Sequence, residues 1–173
     1  GIRDSISPAP LALAAAPVAQ GYKMRDEDYR EARDNPDHDG GIYTAVDAWD
    51  ADPAAAKAKY GPIASWDTSG ITDMGRLFIG KKDFNEDISR WNVSNVVNMN
   101  RVFYGATLFN GDISCWDVEQ VQSMDGTFAS ATSFDRHLGG AWAISTARKT
   151  NMFFKSPGTI AGKVKDADGN IRD

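Results

Sequence analysis

Four tryptophans, Trp66, Trp91, Trp116 and Trp142, stand 25, 25 and 26 residues apart, and other large residues keep step with them. Met74, Met99 and Met124 follow the first three by eight positions, and Phe78, Phe103, Phe128 and Phe154 follow all four by twelve. Phe84, Phe109 and Phe134 come eighteen positions after, each trailed by Asn85, Asn110 or Asp135. Self-similarity at a fixed period of this size marks stacked units, each burying its apolar side only against its neighbours. Such an array presents an extended surface, which turns attention to binding before catalysis.

Two shorter periods run inside each unit. Trp66/Thr68, Trp91/Val93, Trp116/Val118 and Trp142/Ile144 alternate as a strand does. Ile71, Met74 and Phe78 then fall at i, i+3 and i+7, as do Val96, Met99, Phe103 and Val121, Met124, Phe128, which is a helical spacing. A strand, a short helix and a returning loop in 20–29 residues is the leucine-rich-repeat pattern. The fold class read from the chain is therefore an α/β repeat. It is a short leucine-rich-repeat-like solenoid of about four 25-residue units, with an N-terminal capping helix and extended tails. Its core is assigned to Trp66, Trp91, Trp116, Trp142, Met74, Met99, Met124, Phe78, Phe103, Phe128, Phe84, Phe109 and Phe134. Identical positions in adjacent layers should lie about 5 Å apart, so the rings form internal columns. The last unit decays, with Thr150 at the methionine position and Ala147 at the Ile/Val position, as a terminal layer should.

Four regions follow from these boundaries. Residues 1–41 are an extended lead or anchoring tail. It opens on Ser7-Pro8-Ala9-Pro10 and a short Ala/Leu run, continues through a charged stretch from Arg25 to Arg33, and closes in a turn-rich linker from Asn35 to Gly41. A start at Gly1 rather than methionine fits a processed or truncated N-terminus. The apolar run reads as a leftover targeting core or a docking patch, and a signal peptide fits it poorly because the run is short and only Arg3 precedes it. Residues 42–62 are a helical N-terminal cap with Ile42, Val46 and Trp49 on one face, interrupted at Asp52-Pro53 and ended by Gly61-Pro62. Residues 63–156 are the repeats. Residues 157–173 are a C-terminal tail or hairpin, with Asp166-Ala167-Asp168-Gly169-Asn170 as the turn.

A net charge of −5 supplies no basic field for nucleic acid, and no apolar run is long enough to span a membrane. One cysteine, Cys115, excludes an internal disulfide framework. Gly75 to Lys82 imitates a phosphate-binding loop but lacks its final hydroxyl, and Phe78 is committed to the repeat. His38 and His137 lie far apart without complementary ligands, so no metal, no cofactor and no nucleophile–base pair is assigned. Asn92-Val93-Ser94 is a glycosylation sequon if the chain takes a secretory route, although Asp67 and Asp117 fill the same column. The candidate recognition face comprises the positions flanking the tryptophans: Ser65, Arg90 and Cys115 before them, Asp67, Asn92 and Asp117 after. These vary between layers while the core repeats, as either a recognition surface or a solvated face would.

The stretch Trp66-Asp67-Thr68-Ser69-Gly70-Ile71-Thr72-Asp73-Met74, with Leu77-Phe78 behind it, resembles the repeat of the BspA-like surface-protein family (the DUF285 type). Phe109-Asn110-Gly111-Asp112-Ile113-Ser114 and Trp116-Asp117-Val118 carry the same likeness. Ala45 to Trp49 and Tyr60 to Ile63 are similar to the segment preceding these repeats in algal and other protist members. The resemblance covers about residues 42–156 and implies a non-enzymatic role in adhesion or protein–protein contact.

The lead has little apolar periodicity, and ordering it alone would not offset its conformational entropy. The reading is a non-catalytic scaffold or interaction protein, a peripheral subunit anchored through its lead on other protein subunits of a larger assembly, such as an algal organellar or photosynthetic complex. The alternative is a secreted or cell-surface adhesion module binding matrix or glycan. Plastid and extracellular locations both stay open.

Overall fold

Every second backbone N–H in the middle of each unit reaches the next unit, and this ladder organises the molecule. The computed structural model describes residues 21–26 and 41–173. Met74, Arg76, Phe78 and Gly80 donate to the carbonyls of Asn98, Asn100, Val102 and Tyr104 at 2.8–3.0 Å. Met99, Arg101, Phe103 and Gly105 repeat the pattern onto Ser123, Asp125, Thr127 and Ala129. Met124, Gly126, Phe128 and Ser130 carry it onto Arg148, Thr150, Met152 and Phe154. Parallel bridges Asp73–Asn98, Asn98–Ser123 and Ser123–Arg148 mark the same stacking. The intervening N–H groups of Leu77, Ile79 and Lys81 fold back onto Met74, Arg76 and Phe78.

The helical spacing of Ile71, Met74 and Phe78 therefore does not make a helix. The segments are runs of turns with a left-handed residue every fourth position: Arg76 and Gly80, Arg101 and Gly105, Gly126 and Ser130, Asn151 and Lys155, with φ from 51 to 70°. A helix would satisfy its N–H groups internally, whereas the left-handed residues rotate alternate N–H groups outward to the neighbour. The strand reading at the tryptophans changes likewise. Trp91 and Trp116 donate their backbone N–H to Ile88 and Ile113, three residues earlier, within turns. Inward–outward alternation survives there because each turn buries its first and fourth residues, and Trp91 and Trp116 end one turn while Val93 and Val118 begin the next.

Inside, the rings form columns. Phe78, Phe103, Phe128 and Phe153 stack at 5.3–5.6 Å. Phe84, Phe109 and Phe134 stack at 5.8–6.0 Å and lie 3.9–4.1 Å from the first column within each layer. The fourth layer corrects the simple register. Phe153, not Phe154, continues the phenylalanine column, and Lys149, beside the bridged Arg148, takes the position read as Thr150. An extra residue ahead of Trp142 displaces that ring onto a one-turn helix, and the period is recovered before Arg148. Ile144, paired with Trp142 by alternation, is 81% exposed on that helix.

Both ends of the stack are covered. Helices α1 (Ile42–Ala51) and α2 (Pro53–Tyr60) form the N-terminal cover, joined at Asp52, whose carboxylate accepts from the Ala55 N–H at 3.1 Å. Gly61 ends α2 with φ 75°. Ile42, Tyr43, Ala45, Val46 and Trp49 face the core; the Tyr43 hydroxyl donates to the Gly75 carbonyl at 2.6 Å, and Lys81 pairs with Asp47.

Residues 22–26, read as part of the lead, instead belong to the fold. Lys23 bridges Asp67 in parallel, Met24 is 1% exposed, and Asp26 accepts from the Thr72 N–H at 2.8 Å. Residues 1–20 and 27–40 of the lead, including His38 and most of the charged stretch from Arg25 to Arg33, lie outside the described residues.

The short elements after the third unit close the other end. Strand β1 (His137–Leu138) pairs in parallel with β2 (Thr159–Ile160), with helix α3 (Ala141–Ile144) between them. A hairpin of β3 (Val164–Lys165) and β4 (Ile171–Arg172) follows, and its turn presents the Gly169 carbonyl to the Phe153 N–H at 3.0 Å and the Asn170 side chain to the Asn151 N–H at 2.7 Å. A Cβ on Gly169 would lie 2.2 Å from the Phe154 nitrogen, so only glycine fits. Lys165 donates to the Ser156 and Gly158 carbonyls, and Lys149 to those of Ser145 and Ala147. Burial lowers the pKa of both ammonium groups.

Candidate functional site

The positions flanking the tryptophans fall into two rows with different work. Ser65, Arg90 and Cys115 are exposed, Cys115 as a free thiol. Asp67 is half-buried, and Asn92 and Asp117 are exposed, but their side chains hold turns. The Asp67 carboxylate accepts from the Ser69 N–H at 3.0 Å and its hydroxyl at 2.6 Å. Asn92 accepts the same pair from Ser94 at 3.0 and 2.7 Å, and Asp117 accepts from the Glu119 N–H at 3.1 Å. A second set one turn earlier repeats the device, with Asp87 on Ser89 and Asp112 on Ser114. These are Asx turns, which a short acceptor side chain makes with the backbone two residues on. The serine hydroxyl, then the serine N–H, holds the carboxyls of Asp67, Asp87 and Asp112 below the ordinary aspartate value.

The asparagine column is also structural. Asn85 accepts from the Asn110 N–H at 2.9 Å, and the Asn110 amide donates to Asp135 at 2.8 Å. In the loop that imitates a phosphate cradle, the N–H groups of Arg76, Phe78 and Gly80 already serve the next unit. His137 shares a hydrogen bond with Thr159 at 2.7 Å. Among the described residues no group of three or more His, Cys, Asp or Glu could hold a metal, and no helix is long and apolar enough to cross a membrane.

The sequence reading missed two features. The carbonyls of Ile63, Ile88 and Ile113 each accept the indole N–H of the next unit's tryptophan, from Trp91, Trp116 and Trp142 at 2.8, 3.2 and 3.0 Å. Trp66 donates to Gly61 at 3.2 Å, whereas the buried indole N–H of Trp49 has no acceptor among the described residues. The second feature is a cleft beside that ring, of about 320 Å³, continuing into one of about 410 Å³ that reaches Ser65 and Arg90. A helix-face spacing marked Trp49 as core and gave no sign of an unpartnered donor.

Stacked 25-residue units with ring columns and turn-capping aspartates define a repeat protein whose polar rows maintain its own backbone. The family model described as "Mycoplasma protein of unknown function, DUF285" matches residues 49–166, and the chain belongs to that family. No curated protein and no solved structure matches the chain.

Proposed function

We propose that this chain is a short leucine-rich-repeat-like solenoid that acts without catalysis as a protein–protein interaction scaffold, a peripheral subunit anchored on a larger assembly. The observation that carries the reading is the use of Asp67, Asn92 and Asp117 as turn caps, which makes the tryptophan rim a fixed relief rather than a reactive pocket. Residues 1–20 supply the anchor, separate from the strap at 22–26. Deleting residues 1–20 abolishes co-purification with the assembly while the circular dichroism spectrum is kept. Association that survives the deletion overturns the anchoring role.

The exposed Asn92 within its sequon favours a second reading, a secreted or surface adhesion module. Intact-mass analysis of the native protein separates the two, because a glycan on Asn92 places the chain on a secretory route.

A further inference from the structure

The column of Asn85, Asn110 and Asp135 carries one chemically weak step. Asn85 is followed by Glu86 and Asp135 by Arg136, but Asn110 is followed by Gly111. A glycine has no side chain to shield its nitrogen from the side-chain carbon of the residue before it, so an Asn-Gly step is open to loss of ammonia. Packing favours the glycine: a Cβ at Gly111 would lie 2.8 Å from the ring of Phe109, which is fully buried and stacked 3.9 Å from Phe103. The Gly111 N–H donates no hydrogen bond among the described residues, and both residues are half-buried, within reach of water.

Asn110 itself is held at all four of its polar atoms. Its N–H donates to the Asn85 side chain at 2.9 Å, and its carbonyl accepts from the Arg136 guanidinium at 2.8 and 3.0 Å. Its side-chain amide donates to the Asp135 carboxylate at 2.8 Å and accepts from the Asp135 N–H at 3.3 Å. Closing a ring between Asn110 and Gly111 moves the Asn110 Cγ toward the Gly111 nitrogen and strips Nδ2 from Asp135, so it costs bonds made to the third unit.

We infer that Asn110–Gly111 is a deamidation site that the third unit holds closed, and that parting of the rim between the second and third units releases it. The Gly111 nitrogen gives up its proton and bonds the Asn110 Cγ; the Cγ–Nδ2 bond breaks, and that nitrogen leaves as ammonia. Water then opens the cyclic imide to aspartate or isoaspartate. The product sets a carboxylate where the amide faced Asp135, and the like charges keep the rim parted.

The test incubates the full chain at mildly alkaline pH and follows ammonia release, with peptide mapping to locate the site. The folded chain converts at Asn110 more slowly than the same chain in urea. Asp135→Ala speeds conversion about tenfold, the factor expected for one lost charge-assisted hydrogen bond. Asp135→Asn, which keeps an acceptor for the amide, restores the slow rate. Asp67→Ala removes a turn cap from the first layer and leaves the rate unchanged. Asn110→Asp, which mimics the product, melts below the parent chain at neutral pH. Equal rates for folded and urea-unfolded chain, an unchanged rate in Asp135→Ala, equal acceleration by Asp67→Ala, or parental melting of Asn110→Asp overturns the proposal.

Discussion

A tryptophan in these repeats does two jobs at once: its ring fills a layer, and its N–H ties that layer to the one before. Trp91 is 3% exposed and bonds the Ile63 carbonyl at 2.8 Å, while Phe103 is fully buried between Phe78 and Phe128. Trp91→Ala and Phe103→Ala should each cost about 3–5 kcal/mol in urea denaturation; a loss under about 1 kcal/mol would show that the layers do not depend on these rings.

The Asx turns give stability a pH signature. Asp67, Asp87, Asp112 and Asp166 titrate below their unfolded value of 3.8, the first three because of serine donors and Asp166 because of Asn170. A lowered folded pKa contributes stability above the unfolded value that is lost as pH falls through the folded one. The urea midpoint should therefore drop as pH is taken below about 4. Asp87→Asn with Asp112→Asn should flatten that drop, since asparagine keeps the turn without titrating. An unchanged slope would separate these carboxylates from folding.

At the scale of elements, spacing made some features legible and disguised others. Period-25 identity located the inward rings because stacked layers impose the same volume at the same place. It could not distinguish a helix from consecutive turns, since both bring positions i, i+3 and i+7 to one side. Arg76 and Arg101 adopt φ of 65 and 56°, a conformation that nothing in an arginine announces. The strap was equally hidden: Met24 is one apolar residue among polar neighbours, and its edge pairing with Asp67 is long-range. Removing residues 1–26 should lower thermal stability relative to removing 1–20. The difference includes burial of the Met24 side chain, about 2 kcal/mol, and the Asp26 acceptor at Thr72. Equal melting temperatures for the two truncations would place the strap outside the cooperative unit. At the candidate face, the varying residues were visible in the sequence. Their work as turn caps was only latent in the Asp67–Ser69, Asp87–Ser89 and Asp112–Ser114 spacing.

Taken whole, the molecule is a stack finished at both ends by different means. At one end α1, α2 and the strap cover the first layer; at the other, the hairpin supplies the acceptor that a further unit would have provided to Phe153. Lys149 and Lys165 direct ammonium groups at terminal carbonyls, which opposes elongation by another copy. On the interaction reading proposed above, the sides of the stack are left for contact with partners. The most direct test of the interaction reading is the size of the native protein in a gentle lysate, with cross-linking mass spectrometry on the peak. The account predicts migration far above the chain mass of 18.8 kDa, with cross-links from Lys23 or Lys57 to another protein. Elution of the chain alone at its own mass, without intermolecular cross-links, would contradict it.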